Sequence, residues 1–229
     1  MKMSVSIDGF VSGPNNEKDW VFRSSDEGSR AWVLQSTRES GLIIMGRKSF
    51  EEMSPYWPTA AGPLAEAMNE IPKAVFTKKG FKVPPAANSS SAAASWAATQ
   101  VVEGDLAEKI KQLKQQPGKP IIAFGGAGFM RSLIGTGEID EYNLVVHPVV
   151  LGGGLPIFTD VAKPFDLRLT DAVKPTNGRN KPSKFRGAIS RKEISQCTID
   201  VASRAHRRKN HSHVRSLESV EPEAWTGKP

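Results

Sequence analysis

The chain has one cysteine, four histidines and no long apolar run, and each scarcity excludes a class of protein. A single cysteine, Cys197, excludes an internal disulfide framework and fits a reducing compartment. His147 is the only histidine or cysteine before residue 175, so the main part of the chain offers no zinc site. No apolar run approaches the roughly 20 residues of a membrane span, and no signal-peptide core follows Met1. We therefore expect a cytoplasmic protein with no metal and no membrane contact.

Positive charge is concentrated near the C-terminus. Residues 175–229 contain 12 Lys/Arg and 5 Asp/Glu, which accounts for the whole net charge of +7. They hold two aromatic residues, Phe185 and Trp225, and one leucine, too little apolar surface to offset the entropy of ordering the chain. We predict a main domain over 1–174 and a basic, disordered tail over 175–229. We also hypothesise that the tail is foreign to the main domain's family, as a shifted reading frame would produce.

The most prominent local pattern is an apolar run that enters a glycine-rich turn. Ile121-Ile122-Ala123-Phe124 leads into Gly125-Gly126-Ala127-Gly128. Such a run is typical of a strand buried on both faces, and glycines let the backbone approach a ligand closely. A helix that begins there would offer free N–H groups to a phosphate. A turn without any ligand fits the pattern equally well, and the spacing does not match Gly-x-Gly-x-x-Gly.

Two further strands end in polar turns. Leu42-Ile43-Ile44-Met45 is followed by Gly46, Arg47, Lys48 and Ser49, which together suit an anion at a helix N-terminus. The run Lys73–Phe76 ends in Thr77, Lys78 and Lys79. Solvated basic turns are common, but several phosphate cradles along one sheet edge are what a dinucleotide needs.

Other segments give weaker signals. Asp19-Trp20 is placed on or beside a long surface loop, and Tyr56-Trp57 either lines a pocket for a flat ring or caps the core. Residues 84–98, rich in Pro, Ala and Ser, are predicted to be an irregular connection.

These motifs together resemble the dihydrofolate-reductase-like superfamily, and more specifically the reductase domain that forms the C-terminal half of the riboflavin-biosynthesis deaminase–reductase. The matching segments follow the family order: Ser6–Val11, Asp19-Trp20, Ile44–Phe50, Tyr56–Pro58, Lys73–Thr77, Phe124–Gly128 and Val149–Gly154. The resemblance implies an α/β fold with a mostly parallel central sheet flanked by helices, and a homodimer.

The resemblance also implies NADPH as hydride donor to a small heterocyclic substrate, such as 5-amino-6-(5-phosphoribosylamino)uracil. The residues that it assigns to the cofactor are Gly46, Arg47, Lys48, Ser49, Thr77, Lys78, Gly125, Gly126, Ala127 and Gly128. Trp20, Tyr56 and Trp57 are candidates for substrate contact. Asp8 is the candidate catalytic residue, with a turn-forming role as its alternative.

The chain departs from the family pattern in two places. Folate-reducing members carry an acid where a gapless count places Arg30, so dihydrofolate is a less favoured substrate. The aromatic strand that usually returns after Phe165–Leu169 is absent from the sequence after Lys174. Two alternatives remain: the same cofactor with another acceptor, and, less favoured, nucleic-acid binding through the basic run around Arg204, Arg207 and Arg208.

Overall fold

A computed structural model describes residues 1–159, 161–172 and 197–200 of the chain. Its strands are β1 (Lys2–Ser6), β2 (Phe10–Ser12), β3 (Leu42–Gly46), β4 (Lys73–Phe76), β5 (Gln100–Val102), β6 (Ile121–Ala123), β7 (Glu141–His147), β8 (Leu155–Pro156), β9 (Arg168–Ala172) and β10 (Cys197–Asp200). Its α-helices are α1 (Asp19–Ser24), α2 (Glu27–Arg38), α3 (Arg47–Met53), α4 (Pro63–Glu70), α5 (Ser91–Ala97), α6 (Leu106–Lys114) and α7 (Ala127–Gly135), and a 3₁₀ turn covers Trp57–Thr59.

Two four-stranded sheets form the centre of the described structure. One has the order β5-β4-β3-β6 and is parallel throughout, and the other has the order β1-β7-β10-β9. Within the second sheet β1 and β7 are parallel, whereas β10 is antiparallel to both of its neighbours. A short antiparallel ribbon joins β2 to β8. The predicted mostly parallel sheet with flanking helices is confirmed.

Both faces of the parallel sheet are buried, which explains the continuous apolar runs. Along β3, Ile44 packs into one apolar cluster, while Ile43 and Met45 pack into another on the opposite face. Along the neighbouring strand β6, Ala123 and Ile122 divide between the same two clusters. Since successive strand residues point to opposite faces, a strand covered on both sides cannot show polar alternation.

Helix α5 (Ser91–Ala97) corrects part of the prediction that residues 84–98 are irregular, whereas residues 84–90 contain no helix or strand. Alanine has the highest helix propensity, and the Ser90 hydroxyl accepts a hydrogen bond from the Ala93 N–H and caps the helix. Trp96 is buried and its Nε1–H donates to Asn69 Oδ1 over 2.8 Å. The buried Lys73 ammonium donates to Ser95 Oγ and to the carbonyl oxygen of Ile71. The low-complexity composition concealed a helix that these tertiary contacts stabilise.

Strand β10 corrects the prediction that no return strand follows Lys174. Cys197–Asp200 pairs antiparallel with Glu141–Leu144 of β7 on one side and with β9 on the other. The strand is only four residues long and carries no aromatic residue, so the expected aromatic pattern does not mark it in the sequence. Residues 175–196 and 201–229 of the predicted tail lie outside the described residues, so their disorder and foreign origin stay predictions, as does the boundary at Lys174.

Candidate functional site

Two of the predicted polar turns lie side by side at one sheet edge. Strands β3 and β6 are parallel neighbours, so the helices that follow them, α3 and α7, begin next to each other. Gly46 is the N-cap of α3 and Gly126 is the N-cap of α7. The Gly126 N–H donates a 2.7 Å hydrogen bond to the Ser49 hydroxyl, which joins the two turns directly. Ser49 is buried, and through this hydrogen bond its hydroxyl holds the two turns together.

Close packing at this junction leaves no room for side chains at two glycines. Gly125 has φ +126°, and a Cβ there would lie 2.7 Å from Ser49 Cβ and still nearer to its hydroxyl oxygen. At Gly46, a Cβ would lie 2.8 Å from Phe129 Cβ. Gly126 and Gly128 are exposed on the outer side of the same turn. The backbone is therefore bare where an anion would approach it.

The predicted cationic residues surround this junction. The N–H groups that open α7, from Ala127 onward, have no intrahelical acceptor, as at every helix N-terminus. Arg47 is half-exposed and its Nε lies 3.7 Å from Glu51 Oε1, while Lys48 is exposed. Thr77 and the exposed Lys78 follow β4, whose last residue, Phe76, is in register with Gly46. The fold thus brings all the predicted cofactor residues to the carboxyl ends of β3, β4 and β6.

The three predicted substrate-contacting aromatics occupy two separate places. Trp20 lies in the first turn of α1, directly after the loop over residues 13–18, and it is buried with its ring edge-on to His147 at a centroid distance of 5.2 Å. Tyr56 and Trp57 follow α3. Tyr56 is exposed, and its ring centroid lies 5.1 Å from that of the half-buried Trp57. Among the described residues, no ring contact joins Trp20 to that pair. A shared substrate-binding role for the three stays a prediction.

Asp8 anchors a neighbouring loop. Its carboxylate accepts hydrogen bonds from the Ser6 hydroxyl at 2.6 Å and from the N–H groups of Leu151 and Gly152, the latter at 2.8 Å. The Ser6 hydrogen bond is the largest of the effects that lower the pKa of Asp8 below its usual value. A carboxyl group whose pKa is lowered in this way is ionised at neutral pH and holds no proton to donate. The catalytic role of Asp8 stays a prediction, and this geometry favours the turn-anchoring alternative.

We expect Asp8→Asn to lower the thermal midpoint at pH 7, because an amide cannot accept all of these hydrogen bonds. The pKa of Asp8 is lower in the folded protein than in the unfolded chain, where it is 3.8. The carboxylate therefore stabilises the fold at pH values above 3.8, and this stabilisation is lost as the pH falls through the pKa of the folded state. Thermal melts at pH 7 and pH 3 measure the thermal midpoints of wild type and Asp8→Asn, whose difference should be smaller at pH 3. Asp166→Asn, which changes an exposed aspartate, is the control. Equal midpoints at pH 7 would contradict the anchoring role.

Lys2 is a candidate site residue that the sequence patterns did not indicate. Met3 and Val5 of β1 point into one apolar cluster, so Lys2 points to the opposite face, where its Nζ lies 5.8 Å from the Phe124 ring centroid. Burial lowers the pKa of Lys2 to about 8. No described carboxylate lies within 4.0 Å of this ammonium group. The sequence offers only a weak signal for this role, a lysine directly before the alternating segment Met3–Ser6.

Two further findings bound the chemistry. Within residues 1–159, 161–172 and 197–200, no three His, Cys, Asp or Glu side chains come together as metal ligands would. Across the same residues, none of the helices combines the length and the apolar character that a membrane crossing requires. The basic run around Arg204 lies outside the described residues, so nucleic-acid binding stays an untested alternative.

Comparison with known proteins gives a consistent assignment. The family model described as the RibD C-terminal domain matches residues 1–178. The uncharacterized protein YyaP of Bacillus subtilis (strain 168) is 33% identical over 178 residues, which are 78% of this chain and 89% of that protein. A second Bacillus subtilis protein, YwjB, is 26% identical over 167 residues, which are 73% of this chain and 86% of that protein.

Solved structures share the fold at low sequence identity. A pyrimidine reductase-like protein from Corynebacterium diphtheriae has a TM-score of 0.56 and 14% identity, covering 87% of this chain and 89% of that one. The diaminohydroxyphosphoribosylaminopyrimidine deaminase/5-amino-6-(5-phosphoribosylamino)uracil reductase of Thermotoga maritima has a TM-score of 0.55 and 13% identity. That match covers 88% of this chain and 55% of the longer Thermotoga chain.

Proposed function

The chain belongs to the RibD C-terminal domain family, and from this membership we propose that it is an NADPH-dependent reductase of a small heterocyclic substrate. One observation carries the proposal: the glycine turns after β3 and β6 lie against each other and are joined by the Ser49–Gly126 hydrogen bond. Two packed turns that lead into adjacent helix N-termini suit a ligand with linked phosphates. A simple change of chain direction would not require this arrangement.

The residues present fit a dinucleotide phosphate. The exposed Gly126 and Gly128 allow the backbone to approach the pyrophosphate, and the first N–H groups of α7 point outward to donate to it. Arg47, Lys48 and Lys78 supply positive charge for a 2′-phosphate, which favours NADPH over NADH. When bound, the reduced nicotinamide supplies the hydride, and the protein orients the acceptor against it.

We propose that Lys2 faces the acceptor. It is a half-buried cation without a described carboxylate partner, on the face of β1 that adjoins Phe124 and the glycine turn. A cation held in that way suits a carbonyl or anionic oxygen of the substrate. We propose 5-amino-6-(5-phosphoribosylamino)uracil as this substrate, on the strength of family membership and the activity for which the Thermotoga protein is named.

Dihydrofolate remains the less favoured substrate. Arg30 is exposed and its Nη1 donates to the Ser25 carbonyl oxygen at 3.4 Å, so it offers no acid to a pterin. Asp26 is the N-cap of α2 and accepts a 2.7 Å hydrogen bond from the Ser29 N–H. Its carboxylate is thus engaged by its own helix. Another acceptor in the same site stays the second candidate. Homodimer formation, which rests on the resemblance, and a cytoplasmic location, which rests on composition, stay predictions.

We expect the protein to bind NADPH saturably and in preference to NADH. Arg47→Ala is expected to weaken NADPH binding by about tenfold or more, because a charge-assisted hydrogen bond to phosphate is lost, and to leave NADH binding less affected. Titration followed by nicotinamide fluorescence measures both constants. Arg38→Ala, which removes a half-exposed arginine on α2, is the control. Failure of the folded wild-type protein to bind NADPH would overturn the proposed function.

A further inference from the structure

His147 ends β7 on the same sheet face as Lys2. It is in register with Ser6, as Lys2 is with Asn143, and its side chain is 2% exposed. Tyr142 and Leu144 point into the apolar cluster on the other face, so strand alternation places His147 on the face of the candidate acceptor site. Helix α1 lies over the ring through Trp20 and Ser24.

Hydrogen bonding fixes the tautomer of His147. Ser24 Oγ donates its single hydrogen to the Trp20 carbonyl oxygen over 2.6 Å, so the same oxygen acts as acceptor toward His147 Nδ1 at 2.7 Å. Nδ1 therefore carries the hydrogen. Burial, and after it the positive charge of Lys2, lowers the pKa of His147 to about 4, with Asp26 acting in the opposite direction. The ring is neutral at physiological pH, and Nε2 has an unprotonated lone pair.

This lone pair has no partner among the described residues. In that part of the chain, only His147 Nε2 and Thr159 Oγ1 are buried side-chain polar atoms without a hydrogen bond. A buried acceptor left unsatisfied is costly, so its persistence calls for an explanation in function or in a bound group. The half-buried Lys2 lies on the same face, four register positions away at the other end of β1.

We propose that His147 Nε2 is a specificity-determining acceptor that binds a ring N–H of the heterocyclic substrate. The acceptor, which lies on the same sheet face as Lys2, complements the ring N–H of a pyrimidinone. The inference rests on the proposed function, because it places the substrate on the face that adjoins the glycine turns. Sites that hydrogen-bond a substrate N–H discriminate strongly against analogues that lack it.

The test compares 5,6-diaminouracil with its 1,3-dimethyl derivative, which lacks both ring N–H groups. Calorimetric titration of wild-type protein is expected to give at least about tenfold tighter binding of the unmethylated compound. His147→Asn places an amide donor near the Nδ1 position and keeps the Ser24 hydrogen bond, but removes the acceptor, so the preference disappears. His147→Gln places an amide oxygen near the Nε2 position and restores part of the preference.

NADPH titration of the same variants separates the two proposals. We expect NADPH binding in His147→Asn within about twofold of wild type, since no hydrogen bond or ring contact within the described residues joins His147 to the glycine turns. If His147→Asn keeps the full preference for 5,6-diaminouracil over its dimethyl derivative, the proposed role of His147 is overturned. The proposed function would still stand in that case, provided that the protein binds NADPH. Absence of pyrimidine binding, or of any preference in wild type, would also overturn the role of His147. If the folded wild-type protein does not bind NADPH, the proposed function itself is overturned.

Discussion

Gly125→Ala is expected to destabilise the fold and to abolish tight NADPH binding. The residue has φ +126°, a conformation that costs an L-residue roughly 1–3 kcal/mol, and the new methyl group would collide with Ser49. Overpacking of this kind costs about 1–3 kcal/mol more, so the free energy of unfolding should fall by roughly 2–6 kcal/mol. To relieve the collision, the turn must move away from Ser49 and the Gly126 N–H must lose its acceptor. Urea unfolding and NADPH titration measure the two effects.

A glycine at the far end of the helix that follows Gly125 provides the control for this prediction. Gly135 ends α7, has no positive φ and has open space where an alanine methyl group would lie, so Gly135→Ala should be neutral or stabilise by up to about 1 kcal/mol. NADPH binding should be unchanged in that variant. Wild-type stability and affinity in Gly125→Ala would contradict the close packing of the two turns and, with it, the observation on which the cofactor site depends.

The parallel sheet was predictable because its strands are covered on both faces. Ile43-Ile44-Met45 and Ile121-Ile122-Ala123 are short, continuous apolar runs with no competing helical period. Helix α5 and strand β10 were not predictable in the same way. The first depends on Trp96 and Ser95 meeting Asn69 far away in sequence, and the second on a gap between β7 and β9 that only the folded sheet creates.

The site followed the same division. Glycine turns after apolar runs are a local signal, so the sequence indicated Gly46 and Gly125. The hydrogen bond from Gly126 to Ser49 spans 77 positions, and that from Gly152 to Asp8 spans 144 positions. No local pattern reveals such pairs, which is why the sequence indicates Ser49 only as an anion donor and leaves Asp8 as either a catalytic or a turn-forming residue. Lys2 was overlooked because a terminal lysine is usually solvated, and its burial is a property of the folded sheet.

The buried neutral histidine makes stability depend on acid pH. The pKa of His147 is lowered from 6.5 to about 4, first by burial and then by the charge of Lys2. Because the unfolded chain binds the proton more tightly than the folded protein does, the contribution of the neutral ring is fully present above pH 6.5 and is lost as the pH falls toward 4. A difference of this size corresponds to a loss of up to about 3 kcal/mol in the free energy of unfolding. Asp8 and Glu17, whose pKa values are lowered from 3.8 and 4.5, lose their contributions only at lower pH.

Urea unfolding at half-unit steps from about pH 7 to about pH 4.5 measures this loss, and His147→Asn isolates it. The asparagine keeps a donor for Ser24 but cannot titrate, so we expect its stability to change much less than that of wild type over the same interval. Subtracting the two curves cancels every group that titrates alike in both proteins, including the histidines beyond residue 200. The difference curve should therefore rise with pH up to about 6.5 and then level off. Parallel curves for the two proteins would mean that His147 accepts a proton in the folded state as readily as in the unfolded chain. That result would contradict the burial of His147 Nε2 without a hydrogen-bond partner.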